Sequence, residues 1–198
     1  MNQTYNVIPI APLQRGATFH KPRQVMPEHV QMNDPASYVM TDFKVVTAYT
    51  IFPLETIEAA RDKMIHRGVR MLMVVDDMNQ ILGLITATDL SGEKPLQVVQ
   101  TQGVPYSDVM VKDIMTPREK LEVMCMDNLV GARVGDIVAT LQAHGRQHAL
   151  VVDRNNDNSQ ILRGMFSTSQ IGRQLGAPVD TLGVGGIFAE LTSELGAR

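Results

Sequence analysis

The sequence predicts an α+β fold made of two similar units, for three reasons: an internal repeat, a helix-then-hairpin pattern in each copy, and a short motif that closes each copy. "TIEAARDKMIHRGVRMLMVVDD" (56–77) and "RVGDIVATLQAHGRQHALVVDR" (133–154) align at a constant offset of 77 residues. Units of about 60 residues bury only a modest fraction of their surface and are marginally stable alone. We therefore expect the two copies to pack on a shared core.

Each copy is predicted to begin with a helix and to continue as a β-hairpin. Apolar residues recur at helical spacing in both copies: Ile57, Ala60, Met64 and Ile65 in the first, and Val134, Ile137, Val138 and Leu141 in the second. A glycine, Gly68 or Gly145, ends each helical pattern. An apolar run of strand length follows, "MLMVV" or "ALVV", and then a polar turn and a second apolar segment, "ILGLIT" or "ILRGMFS". Each copy therefore reads helix, strand, hairpin, strand.

A Met-Thr pair and an extended segment precede each copy and help to set the predicted boundaries. The pairs are Met40-Thr41 and Met115-Thr116, followed by "KVVTAYTIF" and "KLEVMCM". Five prolines within the first 35 residues favour an extended arm that packs on the rest of the chain or on a neighbour. The predicted division is an arm over 1–36, a first unit over 37–95, a linker over 96–108, a second unit over 109–176, and a tail over 177–198 with a short helix at 186–196.

The closing motif occurs as "GLITATDL" (83–90) and as "GMFSTSQI" (164–171). Both copies place hydroxyls three and five residues after the glycine, but Asp89 in the first corresponds to Gln170 in the second. Backbone N–H groups and hydroxyls at a strand-to-helix turn suit phosphate oxygens, which makes Thr86 and Thr88 candidate ligand contacts. A charge-assisted hydrogen bond contributes roughly 1.5 to 3 kcal/mol, against about 1 for a neutral one, so the two copies are not equivalent.

Composition excludes several classes of function. The chain is 44% apolar with a net charge of -3, which gives no bulk attraction to nucleic acid, and Cys125 is its only cysteine, which favours a reducing compartment. No basic segment followed by an apolar core opens the chain and no apolar run is long enough for a bilayer, so we expect a cytoplasmic protein without membrane insertion. No motif of a nucleophile, a zinc site or paired catalytic acids occurs, and we expect neither a metal nor an enzyme.

Together these patterns resemble the tandem CBS-domain pair, or Bateman module, over about residues 37–176. The first copy matches the family pattern of Met-Thr, helix, "VVD" strand and Gly-x-x-Thr-x-Thr-Asp well, whereas the second departs from it at Gln170. The resemblance implies two β-α-β-β-α units related by pseudo-two-fold symmetry, with two clefts between their sheets. It also implies an adenosine-containing ligand and a homodimer.

The resemblance assigns ligand roles to particular residues. Asp89 would accept both hydroxyls of a ribose, and the basic residues of the helix-to-strand turns would meet the phosphates. Arg146 and His148 would face a nucleotide held by Asp89, while Arg70 would serve the other cleft or share this one. The alternatives are structural: Asp89 as a helix cap, and the cations as solvated groups that complement helix dipoles.

The expected function is therefore that of a stand-alone regulatory module that binds AMP, ADP or ATP and modulates a partner protein or its own assembly. S-adenosylmethionine is a less favoured ligand, and no cofactor is required. The alternative is a protein-interaction or dimerisation module whose ligand site has decayed.

Overall fold

A computed structural model describes residues 11–12, 14–15, 24–157 and 159–180. The strands are β1 (Thr41–Asp42), β2 (Thr50–Ile51), β3 (Met71–Val75), β4 (Ile81–Thr86), β5 (Thr116–Pro117), β6 (Val123–Cys125), β7 (His148–Arg154) and β8 (Gln160–Ser167). The helices are α1 (Ile57–Arg67), α2 (Ala87–Ser91), α3 (Lys94–Gln102), α4 (Val111–Ile114), α5 (Val134–Ala143) and α6 (Thr168–Leu175). The predicted α+β class and the predicted helix, strand, hairpin, strand order of each copy are confirmed.

The two sheets of the described residues exchange their edge strands. One sheet has the order β2-β3-β4-β5 and the other has the order β1-β8-β7-β6. Thus β1, which precedes the first copy, pairs antiparallel with β8 of the second, and β5 pairs antiparallel with β4 of the first. Each sheet is completed by a strand from the other half of the chain, so the two units cannot form their sheets independently. The boundaries at 37–95 and 109–176 stay a prediction, because strand pairing crosses them.

The glycine that opens each closing motif makes room for the exchanged strand. Gly83 pairs with Pro117 and Gly164 pairs with Asp42. A Cβ atom at Gly83 would overlap the carbonyl oxygen of Thr116, and one at Gly164 would overlap that of Thr41. The repeated glycine is therefore a consequence of the exchange, because any side chain there would push the edge strand away.

Three hydrophobic cores hold the described residues together. The first lies between α1, α3, α4 and the first sheet, and the second lies between α5, α6 and the second sheet. The third lies between the two sheets and contains Met71, Met73, Val75, Leu84 and Leu150. Side chains alternate across a strand, so β3 sends Leu72 and Val74 to the first core and its three other residues to the third. All five residues of β3 are consequently buried.

Local sequence signals explain where the repeated helices start and stop. The Thr56 side chain caps α1 by accepting a hydrogen bond from the Ala59 N–H at 3.2 Å. Gly68 ends α1 with a φ of 64°, and Gly145, just after α5, has a φ of 59°. Left-handed backbone of this kind favours glycine, so both predicted helix ends are correct.

Two segments outside the repeats pack on the cores. The stretch predicted as a linker contains most of α3, whose Val98 is buried in the first core and whose Val99 packs against it. The segment from Gln24 to Val39 packs on the second core, where Val30 is buried and its N–H donates to the Gln174 carbonyl at 3.0 Å. The helix predicted at 186–196 lies outside the described residues. Within the described part of the chain, no helix is both long and apolar enough to cross a membrane.

Candidate functional site

A cavity of about 460 Å³, the first cleft, opens between the closing motif of the first repeat and the helix-to-strand turn of the second. Its lining includes five of the six residues that the sequence analysis assigned to ligand binding: Thr86, Thr88, Asp89, Arg146 and His148. The sixth, Arg70, lies elsewhere. Residues from both repeats thus meet at one cavity, although about 60 positions separate them in the sequence.

Thr86 and Asp89 form a reciprocal cap at the start of α2. The Thr86 hydroxyl oxygen accepts from the Asp89 N–H at 3.2 Å, and Asp89 Oδ2 accepts from the Thr86 N–H at 2.9 Å and from its hydroxyl at 2.7 Å. Thr86 is therefore the N-cap, and Asp89 lies three residues further on, inside the helix. The structural role considered for Asp89 is real, but it involves only one carboxylate oxygen.

The other oxygen of Asp89 pairs with Lys94 from α3. Lys94 Nζ lies 2.5 Å from Asp89 Oδ1 and also donates to the Ile114 carbonyl at 3.2 Å. The Asp89 side chain is 11% exposed and that of Lys94 is 46% exposed. Because Lys94 is half in solvent, its ammonium can move into water more easily than Asp89 can move. Nothing in the sequence indicates Lys94 as a partner of Asp89, because it lies in a stretch with no recognisable motif.

Thr88 contacts the opposite repeat directly. Its hydroxyl donates to Oε1 of Gln147, which lies on the turn before β7, at 3.1 Å. Both side chains are exposed to the cavity mouth, so a ligand oxygen can replace this hydrogen bond without burying an unpaired group.

The cations of the second-repeat turn share one carboxylate. Arg146 Nη2 lies 3.3 Å from Glu122 Oε2, and His144 Nδ1 lies 4.0 Å from the same atom. All three side chains are about half or more exposed, so these pairs are weak. Glu122 precedes β6 and lines the first cleft, a placement that its position in the sequence did not indicate.

His148 is the first residue of β7, and its imidazole is mainly uncharged at neutral pH. Burial lowers the pKa of its imidazole below the usual value, and the positive charge of Arg70 lowers this pKa further, while the carboxylate of Asp89 opposes both effects. A phosphate that approaches His148 would act as Asp89 does, and would favour the protonated ring.

A second cavity of about 490 Å³, the second cleft, is lined by the closing motif of the second repeat. Gln170, which stands where the first repeat has Asp89, donates through Nε2 to Gln174 Oε1 at 2.9 Å and to Met26 Sδ at 3.7 Å. The buried Gln174 in turn donates to the carbonyls of Pro27 at 2.7 Å and Tyr38 at 3.0 Å. The amide that replaces the carboxylate therefore takes part in holding the segment around Met26 against α6.

The second cleft is positively charged. Arg70 and Arg173 both line it, and no aspartate or glutamate does among the described residues. A tyrosine in the same lining, Tyr49, has the Arg67 guanidinium 5.4 Å from its ring centre. Arg70 therefore lies at the other cleft, and its ligand role there stays a prediction.

Within residues 11–12, 14–15, 24–157 and 159–180, no group of three or more histidine, cysteine, aspartate or glutamate side chains is placed to hold a metal ion. The first cleft offers hydroxyls, the carboxylates of Asp89 and Glu122, the Arg146 guanidinium and two imidazoles, groups that can bind both the hydroxyls and an anionic group of one ligand.

The CBS domain model matches residues 36–94. Among curated proteins, the chain is 37% identical over 75 residues to inosine-5'-monophosphate dehydrogenase of Thermoplasma acidophilum, across 38% of this chain and 14% of that protein. It is 25% identical over 148 residues to homoserine O-acetyltransferase of Methanococcus vannielii, across 70% of this chain and 27% of that protein. The chain thus spans less than a third of the length of either curated relative.

Among solved structures, the chain is similar to the CBS-pair protein CBSX2 from Arabidopsis thaliana. It is 20% identical, with 71% of this chain and 93% of that chain covered, and a TM-score of 0.47. The structure of CBSX2 in complex with AMP has a TM-score of 0.49 at 20% identity, with 71% and 94% covered.

Proposed function

We propose that this chain is a tandem CBS-domain regulatory module that binds an adenine nucleotide, AMP, ADP or ATP, in the first cleft. The observation that carries the proposal is the meeting of Thr86, Thr88 and Asp89 from the first repeat with Arg146 and His148 from the second around one cavity. A carboxylate suits the two hydroxyls of a ribose, and cations with hydroxyls suit phosphates.

Ribose binding at Asp89 requires one local change. Oδ2 keeps its two hydrogen bonds to Thr86, while Oδ1 exchanges the Lys94 ammonium for ribose hydroxyls. Lys94 is half exposed and can turn into solvent, while the ribose hydroxyls give the mostly buried Asp89 carboxylate new hydrogen bonds in place of the ammonium. The exchange is therefore inexpensive, and the cap of α2 survives it.

Phosphate binding would connect the two repeats. Arg146 has an exposed partner, Glu122, at 3.3 Å, and a phosphate with more than one negative charge competes well for the guanidinium. A nucleotide held by Asp89 on one side and by Arg146 on the other would tie the two halves of the chain together. This change in the coupling between the halves is the signal that a partner protein or a second copy of the chain would detect.

A second candidate function is supported by the same contacts. Both carboxylate oxygens of Asp89 are already hydrogen-bonded within the chain, as in a helix cap without a ligand. On this account the fold serves as an interaction or dimerisation module, and the first cleft binds no nucleotide.

Isothermal titration calorimetry of the full chain with AMP, ADP, ATP, S-adenosylmethionine and adenosine separates the two candidates. Nucleotide binding that is lost in Asp89→Asn and retained in Lys94→Met supports the proposal. No heat of binding and no thermal stabilisation with any of these compounds would support the interaction module. Mass spectrometry of the protein purified under native conditions provides an independent check, because a tight ligand would be retained.

A further inference from the structure

His148 lies between the two clefts. Among the described residues, it is the one that lines both cavities. Its backbone starts β7, where it pairs with Ser167 of β8, so the ring is held at a fixed place in the sheet. Any charge that His148 carries is consequently presented to both clefts at once.

Charged groups face His148 from each side. Arg70, just before β3, lowers the pKa of His148 through its positive charge, and Asp89 in α2 raises this pKa through its negative charge. The other ionisable residues that line the two cavities are Glu122, His144 and Arg146 in the first cleft and Tyr49 and Arg173 in the second. Asp89 is itself paired with Lys94, which weakens its pull on the proton.

We infer that His148 couples the two clefts through a single proton: an anion bound in either cleft favours the protonated ring, and the protonated ring then favours an anion in the other cleft. The inference concerns anions in general, and it rests on the proposed function only where AMP is the probe. It assigns to His148 a regulatory role beyond that of a phosphate contact.

The size of the coupling follows from linkage. An anion that raises the pKa of His148 by one unit binds the protonated protein tenfold more tightly than the neutral protein, and the reverse effect is equal. At a pH about one unit above the pKa of the free protein, where the effect is greatest, occupation of one cleft should therefore strengthen binding at the other by about threefold. Below that pKa the ring is already protonated, and the coupling should vanish.

The first experiment uses inorganic pyrophosphate and needs no nucleotide. The imidazole signals of the full chain are followed by NMR against pH, and the His148 signal is assigned by its loss in His148→Gln. We expect saturating pyrophosphate to raise the pKa of His148. Arg146→Ala in the first cleft and Arg173→Ala in the second should each remove part of this rise, and the double variant should remove most of it.

His144 is the matched control, because it lines the first cleft alone. Its imidazole NMR signals should change on addition of pyrophosphate, and Arg146→Ala but not Arg173→Ala should reduce that change. The inference would be overturned if pyrophosphate left the pKa of His148 unchanged. It would also be overturned if Arg146→Ala by itself abolished the whole rise in that pKa.

The second experiment is a double-mutant cycle with AMP, at a pH about one unit above the His148 pKa that the NMR titration gives. Arg70 opposes the proton on His148 from the second cleft, so its loss should favour protonation. Arg70→Gln should therefore strengthen AMP binding about threefold more in the chain that keeps His148 than in the His148→Gln background. Equal effects in the two backgrounds would overturn the coupling, whereas a lack of AMP binding in every variant would reject the proposed function and leave the pyrophosphate titration to decide.

Discussion

The Thr88 hydroxyl of the first repeat donates a hydrogen bond to Gln147 Oε1 of the second repeat, across 3.1 Å. The contact joins the closing motif of one copy to the helix-to-strand turn of the other, at the mouth of the first cleft. The ligand groups predicted from the sequence therefore face each other from different halves of the chain. A molecule bound there would replace a cross-repeat contact that already exists.

The first prediction concerns Asp89 and its partner Lys94. Asp89→Asn keeps an oxygen for the α2 cap but loses the charge, so nucleotide affinity should fall by about 10- to 100-fold, or roughly 1.4 to 2.8 kcal/mol. Lys94→Met frees Oδ1 and should strengthen adenosine binding by about two- to fivefold, which corresponds to the worth of an exposed ion pair. Calorimetry measures both. A folded Asp89→Asn protein with unchanged affinity would limit Asp89 to its helix-capping role.

The second prediction separates phosphate recognition from ribose recognition. Arg146→Ala should weaken ATP and ADP more than adenosine, because adenosine has no phosphate, and added salt should weaken the charged ligands more steeply. Glu122→Gln should strengthen ATP by about two- to fivefold, since it releases Arg146 and removes a negative charge from the cleft. Equal losses for adenosine and ATP in Arg146→Ala would indicate a packing defect and refute the cross-repeat mechanism.

The third prediction concerns stoichiometry. One tight nucleotide site per chain is expected, because Gln170 in the second cleft donates to Gln174 and Met26. Gln170→Asp should not create a second tight site, since the new carboxylate would face Gln174 Oε1 and lose both donated hydrogen bonds. It should instead lower the free energy of unfolding by about 1 to 3 kcal/mol, measured by urea denaturation. Two equal sites in the natural chain would contradict the ribose assignment.

The fourth prediction is a pH dependence of stability. The pKa of His148 is lower in the folded protein than in the unfolded chain, so the unfolded chain binds more protons between the two pKa values. The contribution of His148 to stability is therefore complete above the unfolded pKa of about 6.5 and is lost as the pH falls through the folded pKa. Urea denaturation from pH 8 to pH 5 should show this loss, with a smaller decline in His148→Gln. The same decline in both proteins would assign the effect to other groups.

The fifth prediction tests the exchanged strands. Gly83→Ala places a methyl group against the Thr116 carbonyl, and Gly164→Ala places one against the Thr41 carbonyl. Each substitution should destabilise the protein by about 1 to 3 kcal/mol, the usual cost of overpacking. Gly135→Ala is the milder comparison, because a Cβ atom added there would lie 3.2 Å from the Met32 carbonyl oxygen, against 2.4 Å from the facing carbonyl oxygen at Gly83 and at Gly164. Neutral effects at Gly83 and Gly164 would mean that the edge strands tolerate displacement.

The sequence by itself determined the repeat, the order of helix and hairpin in each copy, and the closing motif. These features depend on interactions between residues close in the chain: apolar spacing along α1, the glycine that ends it, and the Thr86–Asp89 cap of α2. Such signals can be read from one sequence because the residues that interact are three or four positions apart.

The tertiary structure decided which strands share a sheet and which charges share a cleft. Thr41 pairs with Met165 in the sheet. Lys94, the first residue of α3, pairs with Asp89, and Glu122, just before β6, pairs with Arg146 on the turn before β7. Nothing local marks Lys94 or Glu122, since an exposed charge has the same appearance in a sequence whether or not a cavity lies beside it. Arg70 lies just before β3 and His148 is the first residue of β7, yet Arg70 lines only the second cleft and His148 lines both. That difference arises from packing between distant segments, which periodicity and spacing do not encode.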